Sequence, residues 1–179
     1  GELRQALGES PEALSPADYL SAADVLGKLV SRARELGADG QVFERLMKTS
    51  ELLQGRCRDK GRALESATGE DESALEGLYR SDVWYDINHA QSAFGYWRAW
   101  AMLGLAEARP DDREQVKWLN RAEQGFKAAS VRILYPGIVQ GSWLGLGYIA
   151  EAHGDLPGAE QRFRRLVEAL ADRPDNSVR

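Results

Sequence analysis

The stretch that decides the fold is residues 140–171, which read QGSWLGLGYIAEAHGDLPGAEQRFRRLVEALA. Apolar residues recur there at intervals of three and four instead of alternating, which is the pattern of amphipathic helices. His153-Gly154-Asp155 interrupts this pattern near its middle and is typical of a turn, because glycine tolerates backbone conformations that end a helix. The stretch therefore predicts two helices, at about 138–153 and 156–171, joined by a tight turn.

Six spaced residues of this stretch match a known repeat motif. They are Trp143, Leu146, Gly147, Gly154, Ala159 and Phe163, with 16 residues from Trp143 to Ala159. This pattern resembles the tetratricopeptide repeat (TPR), a helix–turn–helix unit of about 34 residues. A looser copy is Trp100, Leu103, Gly104, Ala122 and Phe126, in which the tryptophan-to-alanine spacing is 22.

Further helices are predicted on both sides of the looser copy. Ser15-Pro16-Ala17-Asp18 combines a capping residue, a first-turn proline and an acid three residues on, so a helix should begin there. Its apolar stripe is Tyr19, Ala22, Leu26, Leu29, Ala33 and Leu36, and Gly37 offers a stop. A second helix is expected from Asp39, with the stripe Phe43, Leu46, Leu53, Cys57 and Leu64. Helices are also expected over 82–108 and 112–133, the latter with a capping box at Asp111 and Glu114 and Ile133 on its stripe.

The fold class predicted from these signals is all-α, with about six helices in antiparallel pairs that stack as a TPR-like α-solenoid. Residues 1–66 should hold an N-terminal helical pair, a cap or degenerate repeat around Leu26-Gly27. Residues 67–80 are expected to be a polar loop, because the segment is acidic and rich in turn-forming residues. Residues 81–173 should hold the repeats, and 174–179 a frayed tail.

Composition limits the function classes. The net charge is −5 and the pI is about 5.2, whereas a nucleic-acid-binding module usually carries a basic excess. No apolar run approaches the ~18 residues that a membrane span needs, and the single cysteine, Cys57, is expected in the core. The compartment stays open: the chain begins at Gly1 without methionine, and it is expected to be cytoplasmic, or periplasmic or exported if a signal segment was removed.

Catalytic and metal-binding patterns are weak. His89 shares a helical face with Asp86, three residues away, but two such side chains make half a metal site at most. His153 at a helix end is expected to satisfy free carbonyl groups. The sequence therefore predicts no enzyme, no cofactor and no metal.

The resemblance implies a binding face on the first helix of each repeat. In the clearer copy this face is Leu144, Tyr148 and Glu151; in the looser copy it is Arg98, Ala101, Leu105 and Arg109. Separately, the aromatic helix is expected to expose some of Trp84, Tyr85, Tyr96 and Trp97 to a groove or partner.

The predicted function is a non-catalytic interaction module that binds a peptide or partner protein in a concave helical groove. One alternative is a pocket for a small apolar ligand between helices 82–108 and 112–133. A second alternative is homo-oligomerisation through the aromatic surface. An enzyme working through Asp86 and His89 comes last.

Overall fold

A computed structural model describes residues 14–109, 113–131 and 135–171, and within them every regular element is an α-helix. The helices are α1 (Pro16–Glu35), α2 (Gly40–Ala67), α3 (Glu72–Tyr79), α4 (Asp82–Glu107), α5 (Arg113–Ser130), α6 (Pro136–Ala152) and α7 (Leu156–Ala171). No helix in the described ranges is both long and apolar enough to cross a membrane.

The predicted helix boundaries are confirmed where the signal is local. Ser15 and Asp18 form the capping box at the start of α1: the Ser15 side chain accepts from the Asp18 amide, and the Asp18 carboxylate accepts from the Ser15 amide at 2.7 Å. Gly37 and Gly154 follow α1 and α6 with φ of 58° and 77°. Only glycine adopts these angles without steric cost, so both turns depend on it.

The helices pack as three successive pairs, α1/α2, α4/α5 and α6/α7, with the short α3 before the second pair. Helix α4 is central, because it packs on α1 and α2 on one side and on α5 and α6 on the other. Helix α6 likewise contacts both α4 and α5. The predicted all-α, solenoid-like fold is therefore confirmed.

Helix α5 ends at Ser130, three residues before the predicted limit at 133, and two further features differ from the prediction. Helix α3 lies inside the expected polar loop 67–80, which brings the described helices to seven instead of six. The carboxylate of Asp71 starts this helix by accepting from the amides of Ser73 and Ala74 at 2.9 and 3.1 Å. Helix α6 begins at Pro136, two residues earlier than expected, because proline is well suited to the first helical turn.

Three of the sequence predictions fall outside the described residues. They are the cap at Asp111, the stripe residue Ile133 and the tail 174–179.

The core runs along both sides of α4. Its largest fully buried side chains include Tyr19, Phe94, Phe126 and Leu103. Close helix contacts depend on glycine: a β-carbon on Gly147 would collide with the Phe163 ring, and one on Gly104 with the Phe43 ring. The Leu-Gly pairs of the predicted repeats thus mark places where an aromatic ring lies directly against a helix backbone.

Candidate binding cleft

A cleft of about 450 Å³ opens where α1, α4 and α6 meet. Its walls and floor are formed by Val30, Ser31, Arg34, Glu35, Tyr96, Trp97, Trp100 and Leu144. These residues belong to the first helices of the three pairs, so the cleft lies on the face that those helices share.

The floor of the cleft is aromatic. Tyr96 and Trp100 are 9% and 5% exposed, and the Tyr96 and Trp97 rings are 4.6 Å apart. Gly27 allows Trp97 to lie against α1, since a β-carbon there would come within 2.5 Å of the indole ring.

Arg34 is held at one end of the cleft by four contacts. Its Nε and Nη2 donate to the two carboxylate oxygens of Glu107 at 3.1 and 2.6 Å. Its guanidinium carbon lies 4.5 Å from the centre of the Trp100 ring and 5.5 Å from that of Tyr148. A bidentate ion pair and two cation–π contacts hold the side chain in one orientation. A side chain that is already ordered lowers the entropic cost of binding a ligand.

A wider depression of about 670 Å³ adjoins the cleft and extends it along α1. It shares Ser31, Glu35 and Trp97 with the cleft and adds Asp24, Gly27, Lys28 and Arg32. Its rim carries both signs of charge, with Arg32 paired to Glu35 at 3.0 Å. The two depressions together form an elongated groove with an apolar floor and a polar edge.

The structure brings together two sets of residues that the sequence predicted separately. Leu144, from the expected binding face, lines the same cleft as Tyr96 and Trp97, from the expected aromatic surface. Tyr148 is 38% exposed and contacts both Trp100 and Arg34 at the end of the cleft. Glu151 is exposed one helical turn further along α6.

The binding residues expected on α4 are not part of this groove. Leu105 and Ala101 are fully buried, and Leu105 packs beside Gly40 at the start of α2. Arg98 points to another crevice and pairs with Glu51 of α2 at 3.9 Å. Positions 98 and 100 are two residues apart, about 200° around a helix, so they cannot face the same groove.

Arg109 is part of the packing between helices. It joins the end of α4 to Glu44 at 2.7 Å and to Glu114 at 3.4 Å. The resemblance placed Arg98, Ala101, Leu105 and Arg109 on the concave side, but this face of α4 packs against α2 and α5.

The remaining aromatic residues lie elsewhere on α4. Trp84 packs on Tyr79 of α3, with ring centres 4.9 Å apart. Tyr85 is 46% exposed and lies beside Tyr135 at 5.4 Å. His89 stacks on the same Tyr135 ring at 4.5 Å, with an angle of 6° between the planes. Trp84 and Tyr85 thus lie away from Tyr96 and Trp97, and the four aromatic residues named from the sequence do not form one surface.

Sequence reasoning missed the α1 side of the groove, although a signal was present. In the clearer repeat the binding positions lie three residues before Gly147 and one and four after it. Counting in the same way from Gly27 gives Asp24, Lys28 and Ser31, all of which line the wider depression. Arg34 follows one helical turn after Ser31 and has no counterpart in that pattern.

The buried titratable groups near the groove and in the core stay neutral at ordinary pH. Burial raises the pKa of the Tyr96 hydroxyl, and it raises the pKa of the Cys57 thiol to about 12. Cys57 is completely buried, as expected, and a protonated buried thiol is not a nucleophile. No cluster of three or more potential metal ligands occurs among the described residues.

Comparison of the chain with models of protein families, with curated proteins and with solved structures finds no match.

Proposed function

We propose that this protein is a non-catalytic interaction module that binds an extended peptide segment of a partner protein along the groove formed by α1, α4 and α6. The single observation that carries the proposal is the aromatic floor of Trp97 and Trp100 beside the fixed guanidinium of Arg34. Large apolar side chains with a small number of oriented polar groups are the usual composition of binding sites for peptides and small molecules.

The shape of the groove favours an extended segment. The 450 Å³ cleft accepts one large apolar side chain over Trp97 and Leu144, which are both partly exposed. The adjoining depression continues along α1 past Ser31 and Lys28, so neighbouring residues of the same segment have a place to lie. Mixed charges at the rim offer hydrogen bonds to a peptide backbone without requiring one sign of charge.

The proposal includes a TPR-like relationship of the two C-terminal pairs. It is supported by the close contact of Gly147 with Phe163, two positions of the sequence motif that lie on α6 and α7. It is also supported by the packing between successive pairs, since α4 contacts both α1 and α2, and α6 contacts both α4 and α5.

A display experiment with a matched pair of variants tests the function. Ser31 is exposed and lines both depressions, so Ser31→Trp fills the groove without disturbing the core. Ser73→Trp makes the same change at an exposed position of α3, where only the backbone amide is used in capping. Random peptides displayed on phage would be selected on the wild-type protein and tested on both variants.

We expect peptides enriched in large apolar residues that bind wild-type protein and Ser73→Trp equally and bind Ser31→Trp at least about tenfold more weakly, the effect of losing one well-packed anchor. Peptides that bind all three proteins equally would show that this groove is not the binding site. Circular dichroism of both variants would confirm that the helices are retained.

The volume of the cleft also favours a second candidate, a small apolar ligand. At about 450 Å³ it lies within the ~300–1,000 Å³ range of ligand pockets. Its position between α1, α4 and α6 differs from the α4/α5 pocket expected from the sequence. A ligand there would quench Trp97 and Trp100 fluorescence, so quenching that is lost in Ser31→Trp and kept in Ser73→Trp, with no peptide selected, would favour this function over the first.

A further inference from the structure

A second, smaller crevice lies on the other side of α4, between α2 and α5. It has a volume of about 100 Å³ and is lined by residues that include Gln54, Gln91, Ser92, Arg98, Gly125 and Ala128. Water occupies about 30 Å³ per molecule in the liquid, so the crevice has room for about three water molecules or one tetrahedral oxyanion.

Arg98 brings an incompletely satisfied positive charge to this crevice. Its side chain is only 32% exposed, and its ion pair with Glu51 spans 3.9 Å, too long for a hydrogen bond. The guanidinium makes no hydrogen bond within the described part of the chain. An arginine side chain has five N–H donors, and those of Arg98 that face the crevice are available to a ligand.

Other donors point to the same class of ligand. Gln54 uses one amide hydrogen to donate to the Gln91 carbonyl oxygen at 3.3 Å and keeps a second. The Ser92 hydroxyl lines the crevice and makes no hydrogen bond among the described residues. Gly125 and Ala128 line the crevice from α5 and have no large side chains, so the space in front of Arg98 is left open.

We propose that this crevice binds a tetrahedral oxyanion of the phosphate class, either free phosphate or a phosphomonoester on a partner. Arg98 supplies the charge and a planar pair of donors that matches two phosphate oxygens. Gln54 and Ser92 donate to the remaining oxygens. The bound anion takes the place of the long contact with Glu51, whose side chain is 66% exposed and free to turn towards solvent.

The site is independent of the peptide groove, because the Arg98 side of α4 faces away from Trp100. A failure of either proposal therefore leaves the other standing. The two sites also differ in chemistry, since the groove floor is aromatic and the crevice is lined by hydrogen-bond donors.

Titration with inorganic phosphate tests the proposal, with chloride used to keep the ionic strength constant. Isothermal calorimetry would measure affinity, and the backbone amide signals of Gly95 and Gly125 in ¹H–¹⁵N spectra would locate the ion. We expect saturable binding that Arg98→Gln weakens about tenfold or more, the usual effect of losing a charge-assisted hydrogen bond. Arg62→Gln, at an exposed arginine of α2 outside the crevice, should leave the affinity unchanged.

A second variant fills the space and keeps the charge. Ala128 is exposed and lines the crevice from α5, so Ala128→Leu should preserve the helix and abolish phosphate binding. No saturable binding to the wild-type protein, or equal binding to wild type and Arg98→Gln, would overturn the proposal.

A parallel titration with a phosphoserine peptide and its unphosphorylated form separates the two sources of the ligand. Tighter binding of the phosphopeptide than of inorganic phosphate, again lost in Arg98→Gln, assigns the site to a modified partner. Equal affinity for both phosphate forms assigns it to the free ion.

Discussion

At the scale of single residues, Arg34 links the fold to the groove. It bridges α1 to α4 through Glu107 and reaches α6 through the Tyr148 ring. The pair is partly buried, with side-chain exposures of 23% and 46%, so it is screened less than a surface ion pair. The same contacts that join the three helices therefore hold the guanidinium in a fixed position at the end of the cleft.

Replacing Arg34 should affect stability and binding together. Arg34→Ala removes a bidentate ion pair and two cation–π contacts, and we expect the free energy of unfolding to fall by about 1–2 kcal/mol. Arg32→Ala is the control: its ion pair is 67% and 62% exposed, and such pairs contribute at most about 1 kcal/mol. Urea unfolding measures both, and equal losses would contradict a special role for Arg34.

Two glycines within helices should respond in opposite directions to the same substitution. Gly147→Ala places a methyl group in the Phe163 ring, and overpacking of this kind costs about 1–3 kcal/mol. Gly55 in α2 has only the tip of Arg58 nearby, at 4.0 Å. Gly55→Ala should therefore stabilise the protein by about 0.5–1 kcal/mol through helix propensity.

Thermal unfolding of the two glycine variants shows directly whether each substitution raises or lowers the stability of the protein. Stabilisation by both substitutions would show that α6 and α7 separate enough to accept a methyl group at position 147, and it would remove the main structural support for the TPR-like relationship.

The limits of residue-level prediction are visible in α1. The capping box at Ser15 depends on neighbours in sequence, so the sequence alone located it correctly. The stripe through Leu29 is wrong at that position, since Leu29 is 45% exposed and Val30 is completely buried. The difference arises because α4 packs on the side of α1 that carries Gly27, which no local pattern records.

At the scale of elements, the sequence predicted the long helices but not how α4 packs among its neighbours. Helix α4 is apolar on several sides because four long helices pack around it, and its periodicity therefore does not single out one face. The repeat register placed Arg98 and Leu105 on the expected binding face, whereas Trp97 and Trp100 are the tryptophans that line the cleft between α1, α4 and α6. The cleft itself requires three helices to meet, and that arrangement is not encoded in any one of them.

Two aspartate caps with the same chemistry should have different consequences. Asp39 accepts from the amides of Gln41 and Val42 at the start of α2, a helix with buried residues along its length. Asp71 caps α3, which has no buried residue. Asp39→Ala should lower global stability by about 1 kcal/mol, whereas Asp71→Ala should release α3 and leave the urea midpoint nearly unchanged.

Hydrogen exchange separates the two cases, because it reports local and global opening by residue. Faster exchange restricted to α3 amides is expected for Asp71→Ala, and faster exchange throughout the core for Asp39→Ala. A global loss of protection from the Asp71 change would show that α3 supports the packing of α2 on α4.

At the scale of the whole molecule, the polar segment 67–80 lies between two groups of helices in the sequence, but these groups pack against each other. The interface between α2 and α4 is the most extensive in the described structure, and it joins the N-terminal pair to the rest. Helix α1 also packs on α4, with Trp97 against Gly27. The helices on either side of the segment should therefore unfold together.

Chemical labelling of Cys57 measures whether the helices on either side of the segment unfold together. Its thiol is completely buried in α2, and its pKa of about 12 keeps it protonated, so it reacts with a disulfide reagent only after the core around it opens. We expect the free energy of opening obtained from labelling rates in dilute urea to equal the free energy of unfolding measured by circular dichroism. A much smaller labelling value would mean that α1 and α2 detach while α4–α7 stay folded. The groove would then lose its α1 wall in that state, and peptide binding would depend on the docking of the N-terminal pair.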